Sequence, residues 1–538
     1  MCGIWALFGL ATHTSVHSNT SFSRISHRGP DAWRIEFDQK VKDSVVGFHR
    51  LEIVDCLYGM QPMKLHKYPH LILLCNGEIY NCKRVKEQFG FEYETNCDVE
   101  AILHLFAAGG IEHCARNLDG VFAFCIVDSK NKKVYLGRDP YGVRPLFRLF
   151  TKNGILGICS EAKGLIDLSK EMNGVSWKLE PFPPGHVEEY KIENDGKARL
   201  LFQKQYYVIG EKPYLKPLVP YESLSNKDIH ENIRTLLTAA VKKRLMADRR
   251  IGCMLSGGLD SSLSFAIGMG DSPDIIAARQ VAEYIGTEHH EVNFTPDDVI
   301  NVLDKVIFHL ETPDITTVRA SIGMYLISRY IKENTDTTVV FSGEGADEVA
   351  QGYIYFRDAP SAGVAHEDSL RLLNDIYLFD GLRADRTTAA HSLELRVPFL
   401  DLQFTNYYLS LPAAMRQPQG GVEKHLLRSA FDSVDLLPKS ILWRHKEAFS
   451  DGVASEKKSL FKVIQELVDS RLGEDVLEKA SVKFPHCTPT TKESFYYREV
   501  FEKSFPNQSH FVPYFWMPKW IDVKDPSARF ISHYAANK

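Results

Sequence analysis

Ile251-Gly252-Cys253-Met254-Leu255 runs without a charge straight into Ser256-Gly257-Gly258-Leu259-Asp260-Ser261-Ser262. A short apolar run closed by a Gly/Ser turn reads as a buried strand with a loop at its carboxyl end. Around it the chain alternates. Ile229, Ile233, Leu236, Leu237, Ala240, Val241 and Leu245 share one face of a helix over Ile229–Leu245. Ser272–Ile285 reads as a helix with Pro273 in its first turn and Gly286 as its stop. Thr295 caps the next one, Asp298 completes a capping box, and Val299–Leu310 carries the apolar stripe. Thr317–Lys332 is a further helix, and Phe265–Met269 and Thr338–Phe341 are buried strands. Strands alternating with helices predict a doubly wound, mostly parallel α/β sheet for this half. In such sheets ligands bind beyond the carboxyl ends of the strands. A second cluster, Ser342-Gly343-Glu344-Gly345-Ala346-Asp347-Glu348, follows the Thr338–Phe341 strand at the corresponding place.

At 538 residues the chain is too long for one ordinary domain. Pro213, Pro217 and Pro220 mark a linker over 206–225, between an N-terminal domain over 2–205 and a C-terminal domain over 226–538. The N-terminal domain reads as β-rich: Gly47–Val54, Leu71–Asn76, Val121–Val127, Lys133–Leu136, Ile155–Cys159 and His186–Ile192 are strand-like. Helices fit over Lys83–Gln88 and Asp98–Ala108, the latter with Asp98 as its cap. A net charge of −5 gives no pull toward nucleic acid or an anionic membrane, so no such partner is expected. No apolar run approaches the ~18 residues a membrane helix needs. Ten cysteines without a CxxC pair fit neither a disulfide scaffold nor a zinc site, and point to the cytosol. The basic run Lys242–Arg250 reads as a solvated helix end rather than a nuclear signal.

With Met1 removed, Cys2 would carry its thiol and its own α-amine a few ångströms apart. An α-amine with a pKa of about 7.7–8.0 can accept the thiol proton near neutral pH. Downstream come His27-Arg28-Gly29-Pro30-Asp31, Phe48-His49-Arg50-Leu51, Asn76-Gly77-Glu78-Ile79-Tyr80-Asn81 and Asp98. Together with Met1-Cys2-Gly3-Ile4 these resemble the class II glutamine amidotransferase domain, an Ntn-hydrolase of the α+β class with an αββα sandwich. The resemblance implies that Cys2 attacks the glutamine amide. Asn76 and the Gly77 N–H would form the oxyanion hole. Arg50 would clamp the α-carboxylate, Asp98 and Glu78 would hold the α-ammonium, and Leu51 and Val54 would complete the glutamine pocket. The residue types suit these tasks: Arg matches a planar carboxylate better than Lys, and one oxyanion donor is worth about 2.7–4 kcal/mol.

The loop at 256–262 lacks the Gly-Lys-Ser/Thr ending of a Walker A motif. It resembles the pyrophosphate loop of the ATP pyrophosphatases, an adenine nucleotide α-hydrolase-like fold. By that likeness Ser256, Gly257, Gly258 and Ser261 cradle pyrophosphate. Asp260 and Asp347 hold Mg²⁺, a hard cation that favours oxygen ligands. Ser342, Gly343 and Glu344 border the same site, with Glu344 a candidate for handling the amine nucleophile. Thr316-Thr317-Val318-Arg319, Arg396-Val397-Pro398-Phe399-Leu400-Asp401 and Trp443-Arg444-His445-Lys446-Glu447-Ala448-Phe449-Ser450-Asp451-Gly452 extend the likeness to the whole chain. It resembles the glutamine-hydrolysing asparagine synthetase family, both domains in the same order. That implies glutamine, aspartate and ATP as substrates, a β-aspartyl-AMP intermediate, and asparagine, glutamate, AMP and pyrophosphate as products. It assigns Lys446 to the pyrophosphate leaving group, Thr316, Thr317 and Arg319 to the aspartate and phosphate side, and Leu255 and Ile267 to the adenine. A homodimer is left open.

The chain departs from the family pattern at one place. The family has a helix of several turns between SGGLDSS and the strand Phe-Ala-Ile-Gly-Met, whereas here Phe265–Met269 begins three residues after Ser262. A parallel crossover takes roughly a dozen residues. Four residues reach at most ~14 Å, while a five-residue strand is itself ~17 Å long. This predicts that Ile251–Leu255 and Phe265–Met269 cannot both occupy their family places. It keeps two alternatives open: a glutaminase with a defective synthetase half, and a non-catalytic homologue serving as a regulatory subunit. His445 replaces the usual Pro or Gln, a change expected to be tolerated.

Overall fold

The computed structural model describes residues 1–10, 20–172, 174–211, 223–255, 263–270, 272–444, 460–523 and 525–526. The chain divides into two units. Met1–Val208, Met246–Arg249 and Ala389–Glu394 form the first; Ile209–Leu245, Arg250–Thr388 and Leu395–Lys538 form the second.

The described strands of the first unit are β1 (Gly3–Phe8), β2 (Ala32–Phe37), β3 (Ser44–Arg50), β4 (Leu71–Ile79), β5 (Gly120–Asp128), β6 (Lys133–Arg138), β7 (Phe147–Thr151), β8 (Leu156–Cys159), β9 (Trp177–Pro181), β10 (His186–Ile192) and β11 (Ala198–Gln205). They form two sheets, β2-β3-β1-β8-β7-β9 and β11-β10-β6-β5-β4. Alternation along the strands turns Ile4, Ala6, Phe8, Val46 and Phe48 of one sheet toward Ile72, Leu74, Ala123, Cys125 and Leu136 of the other, in one shared core. Leu71, Leu73 and Cys75 point the opposite way. They pack under α1 (Cys82–Phe89) and α2 (Glu100–Asn117) with Val85, Ile102 and Leu105. On the outer face of the six-stranded sheet lie the helical residues 20–23 and the 3-10 turns Ser26–Arg28 and Ala162–Gly164. There Trp5 Nε1 donates to the Gly164 carbonyl at 2.9 Å. These are the αββα layers expected of an Ntn-hydrolase.

Two local expectations change. The strand expected over Gly47–Val54 is Ser44–Arg50, so Leu51–Val54 belong to a loop. Asp98 does not cap α2, whose N-cap is Val99. The Asp98 carboxylate instead accepts the Ile79 N–H at 2.6 Å, which holds it against the end of β4. Strands β1, β2, β9 and β11 carry weak alternation. All six residues of β1 are buried, so no period of two exists to be read there.

In the second unit α3 (Asn226–Lys243) precedes β12 (Ile251–Met254) and β13 (Leu263–Gly268). Then follow α4 (Pro273–Ile285), β14 (Glu288–Asn293), α5 (Pro296–Leu310), α6 (Ile315–Asn334), β15 (Val339–Phe341), the short α7 (Ala346–Val349) and β16 (Glu394–Arg396). The sheet order is β14-β13-β12-β15-β16, and every pairing among β12–β15 is parallel. Helix signals hold here: Ser272 caps α4, Gly286 ends it in the left-handed region at φ 69°, and Thr295 and Asp298 form the capping box of α5. Cys253, Leu255, Ala266 and Phe341 pack against Ile275, Ala278 and Val281 of α4 on one face of the sheet. Phe265 on the other face meets His290, which in turn meets Tyr330 of α6. Both faces are therefore covered, as a doubly wound sheet requires.

The short connection after Ser262 does not prevent β12 and β13 from pairing, contrary to the sequence argument. Cys253 lies opposite Ser264 and Met254 opposite Phe265, and the Leu255 N–H donates to the Phe265 carbonyl at 2.8 Å. The strands are staggered: β13 starts at Leu263 and runs on past the end of β12. The chain must return along only about three residues of strand, ~10 Å. Residues 256–262 reach roughly 23–25 Å. The expectation counted only the four residues Ser261–Ser264 as connection, whereas β13 begins at Leu263 and seven residues, 256–262, separate it from Leu255.

Candidate active sites

In the first unit β1 pairs antiparallel with β3, Gly3 opposite His49. This register brings Cys2 to the residues that follow β3. The Cys2 sulfur accepts the Leu51 N–H at 3.4 Å and its thiol donates to the Leu51 carbonyl at 3.5 Å. Behind it Arg28 Nε donates to the Cys2 carbonyl at 3.0 Å. Arg28 is itself buried against Glu161, which also pairs with Lys163 and, at 3.0 Å, with His27. Burial pushes the Cys2 thiol up, and the adjacent N-terminal ammonium pulls it down. The Met1 ammonium is lowered to about 6 by burial, against the nearby Glu394 carboxylate 3.8 Å away.

The other predicted residues gather at the ends of neighbouring strands. The Arg50 guanidinium donates to the carbonyls of Asp55 and Cys56. Asn76 is 0% exposed, and neither atom of its side-chain amide has a partner among the described residues. A buried amide with both ends unmet is expensive, and a bound ligand would satisfy it. Gly77 has a structural reason as well: a Cβ there would sit 2.3 Å from the Val121 carbonyl oxygen and 2.7 Å from Phe122 Cα. The charges of Glu78 and Glu394 act on the Cys2 thiol, and those of Asp98, Cys2 and Glu78 on Cys75, so these groups lie near one another. Leu51 is buried and Val54 half-buried at its edge. Sequence reasoning missed the Arg28–Glu161–Lys163 cluster, Asp55 and Glu394. Arg28 stood inside a quoted motif without a role; Glu161 and Glu394 carried no local signal.

In the second unit Ser256, Gly257, Gly258, Asp260, Ser261 and Lys446 lie outside the described residues. Leu255 and Ile267, expected to frame the adenine, are both buried, and the Leu255 side chain belongs to the apolar cluster between sheet and α4. Ser342 donates its N–H to the Arg396 carbonyl at 3.0 Å, tying the second loop to β16. Gly345, at φ 90°, turns that loop into α7. Glu344 pairs with Arg383 at 2.9 Å and Asp347 with Lys424 at 2.9 Å. The Tyr353 hydroxyl lies 2.6 Å from Glu348 and 2.8 Å from Asp380. One hydroxyl proton cannot serve two carboxylates. Burial, then Asp380 and Asp347, hold the Glu348 carboxyl well above the usual range.

The residues expected on the aspartate and phosphate side are otherwise engaged. Thr316 donates to the Trp516 carbonyl at 3.3 Å, and Thr317 to Asp314 at 2.7 Å. Arg319 gives its fork to two carboxylates, Glu493 at 2.7 and 2.6 Å and Asp525 at 2.8 Å, with Phe461 beneath it. In this arrangement the guanidinium is taken up by those two carboxylates. The basic run ends α3 as expected but is mostly paired: Lys243 and Arg244 with Asp401, Arg249 with Asp31, Arg250 with Asp336.

Known families match both units. A glutamine amidotransferase domain model matches residues 1–179, and an asparagine synthase model matches residues 232–368 and 358–520. The two together define an amidotransferase joined to a synthase. Three full-length relatives bear the name "Asparagine synthetase [glutamine-hydrolyzing]". Those of Cricetulus griseus and Gallus gallus are each 54% identical over 557 residues, and that of Homo sapiens is 53% identical over 559, with 99% of both chains covered in every case. The chain belongs to the glutamine-hydrolysing asparagine synthetase family. The 557-residue alignment exceeds the 538 residues of this chain by 19, so the chain lacks at least that many positions its relatives have.

Proposed function

We propose that this chain makes asparagine from aspartate, taking nitrogen from glutamine and energy from ATP. Once Met1 is removed, the Cys2 α-amine takes the thiol proton and the thiolate attacks the glutamine amide carbon. The developing oxyanion is met by Asn76 Nδ2 and the Gly77 N–H, the Cys2 α-ammonium returns its proton to the amide nitrogen as the C–N bond breaks, and ammonia leaves. Water then cleaves the thioester to glutamate and restores the thiol. Arg50 holds the α-carboxylate, Asp98 and Glu78 the α-ammonium. In the second unit the aspartate β-carboxylate attacks the α-phosphorus of ATP, releasing pyrophosphate, and ammonia displaces AMP. The unmet Asn76 amide is the observation that carries the first half of this reading.

Mg²⁺ belongs to the same proposal. Carboxylate oxygens are hard donors of the kind a divalent cation takes. Asp347, with Asp260, would hold it, and it would supply neutralisation of phosphate charge. Lys446 is proposed to add a point charge on the leaving group. Glu344, paired with Arg383, is proposed to receive a proton from the incoming amine.

A cytosolic location is supported by ten free cysteines. A homodimer is supported by the edge strand β2, where Trp33 and Phe37 are 67% and 56% exposed. Antiparallel pairing with a second copy about Ile35 would oppose Arg34 to Glu36 and Trp33 to Phe37. Sedimentation of Ile35→Lys should then show a monomer where the parent chain is a dimer.

The deciding experiment is aspartate-dependent pyrophosphate release from ATP with ammonium as nitrogen source. Turnover supports a working synthetase half. Glutaminase activity without turnover would leave a glutaminase with a defective ATP site.

A further inference from the structure

We propose that Asp55 is the positioning residue that sets the spacing between the two ends of the glutamine α-amino-acid site. The inference rests on the glutaminase reading above. Asp55 is 8% exposed and sits in the left-handed region at φ 55°. It touches both loops that matter. Its main-chain carbonyl accepts Arg50 Nη2, and the next carbonyl, Cys56, accepts Arg50 Nη1 at 3.2 Å. Its carboxylate Oδ1 accepts the N–H groups of Leu57 and Tyr58 at 3.2 and 3.0 Å. Oδ2 reaches across to accept the Asn96 N–H at 2.9 Å, two residues before Asp98. Its own N–H donates to Asp248 at 3.0 Å, and Asp248 in turn donates its N–H to Ile53.

The Asn96 side of this bridge is stiff. Glu100 accepts the N–H groups of Glu94 and Thr95, both at 2.7 Å, and the Thr95 hydroxyl at 2.6 Å. Cys97 N–H bonds back to Thr95 Oγ1 at 3.1 Å, and Asp98 is anchored on Ile79. One residue thus fixes the guanidinium for the α-carboxylate and, through a single hydrogen bond, the loop carrying the carboxylate for the α-ammonium. A free amino acid presents those two charges at a fixed separation, so the protein must hold its two counter-charges at a matching one.

The chemistry explains why a carboxylate is required. Asp55 accepts three N–H groups and donates from its side chain to none. In Asp55→Asn the amide oxygen can keep the Leu57 and Tyr58 bonds, but Nδ2 then faces the Asn96 N–H and the bridge is cut. Asn tolerates the left-handed backbone, so the turn survives. In Asp55→Gly the backbone and the carbonyl holding Arg50 remain while every side-chain bond is lost.

The test compares the full-length parent chain, Asp55→Asn and Asp55→Gly for three readouts: glutamine hydrolysis, ammonium-dependent asparagine formation, and hydrolysis of glutaramate, which lacks the α-amine. For both variants we expect KM for glutamine to rise about tenfold, with kcat within about threefold of the parent and ammonium-dependent synthesis unchanged. The preference for glutamine over glutaramate should fall about tenfold. An unchanged KM, or an equal loss across glutamine and glutaramate, overturns the positioning role. Equal loss of the ammonium-dependent reaction also overturns it, because Asp55 would then serve the fold as a whole. A parent chain that does not hydrolyse glutamine would instead sink the glutaminase reading itself.

Discussion

Glu161→Gln should destabilise the first unit by about 3–5 kcal/mol, the cost of breaking a buried ion pair by removing one partner. The figure follows from what surrounds the carboxylate. Glu161, Arg28 and Lys163 all have side chains with 0% exposure, and the one carboxylate pairs with both cations. An amide of the same shape removes the charge that Arg28 and Lys163 both meet here and turns an NH₂ toward a donor. The two pairs share one carboxylate, so their losses do not simply add. For a unit of this size 1 kcal/mol moves the melting temperature by ~2–4 °C, which places the expected drop at roughly 6–20 °C. Scanning calorimetry should show it in the transition of the first unit. Glutamine hydrolysis should fall with it, because Arg28 holds the Cys2 carbonyl. Exchanging Arg28 and Glu161 together for Met should cost less than the single change, since no orphaned partner of that pair remains. A Glu161→Gln protein that melts within about 2 °C of the parent would refute the reasoning.

Cys2→Ala should abolish glutamine-dependent asparagine formation while sparing the ammonium-dependent reaction; equal loss of both would make Cys2 structural. Gly77→Ala should cost several kcal/mol, since the new methyl meets backbone of β5 rather than a movable side chain, and a soluble variant with parental melting temperature would contradict the close strand approach. His49 is lowered to about 4 by burial, with its ring stacked on Phe22. The unfolded state, with a His pKa near 6.5, therefore binds the proton first. Stability from this group is full above about pH 6.5 and is lost as pH falls toward 4, on the order of 3 kcal/mol in all. Denaturant titrations across that window should show a flatter profile for His49→Gln, and identical profiles would refute the shift.

Motif residues were legible in the sequence wherever one residue type answers one local chemical demand. The caps at Ser272 and Thr295 and the stop at Gly286 depend on a few neighbouring atoms, and they fall where expected. Strands that alternate or run apolar between turns, such as β4 and β5, were legible too. Positions set by distant segments were not. Asp98 looked like a helix cap because its local sequence suits one, but Ile79 outbids the helix for its oxygen. Arg319 pairs with Glu493 and Asp525, far along the chain, and nothing in its local sequence points to either. The crossover after Ser262 was misjudged because the strand expected from Phe265 begins at Leu263, and which residues join a strand is settled by its partners, not by one apolar run.

The first unit is completed by Met246–Arg249 and Ala389–Glu394, which leave the ribosome long after Val208. At roughly 5–20 residues per second the wait from Val208 to Glu394 is about 10–40 s. Through that interval the amine of residue 1 has not yet met Glu394, its buried counter-charge in the finished fold. Met1 is only 1% exposed once folding is complete. The mechanism proposed above needs Met1 removed, and the burial of Met1 makes removal before the arrival of Glu394 the expected order.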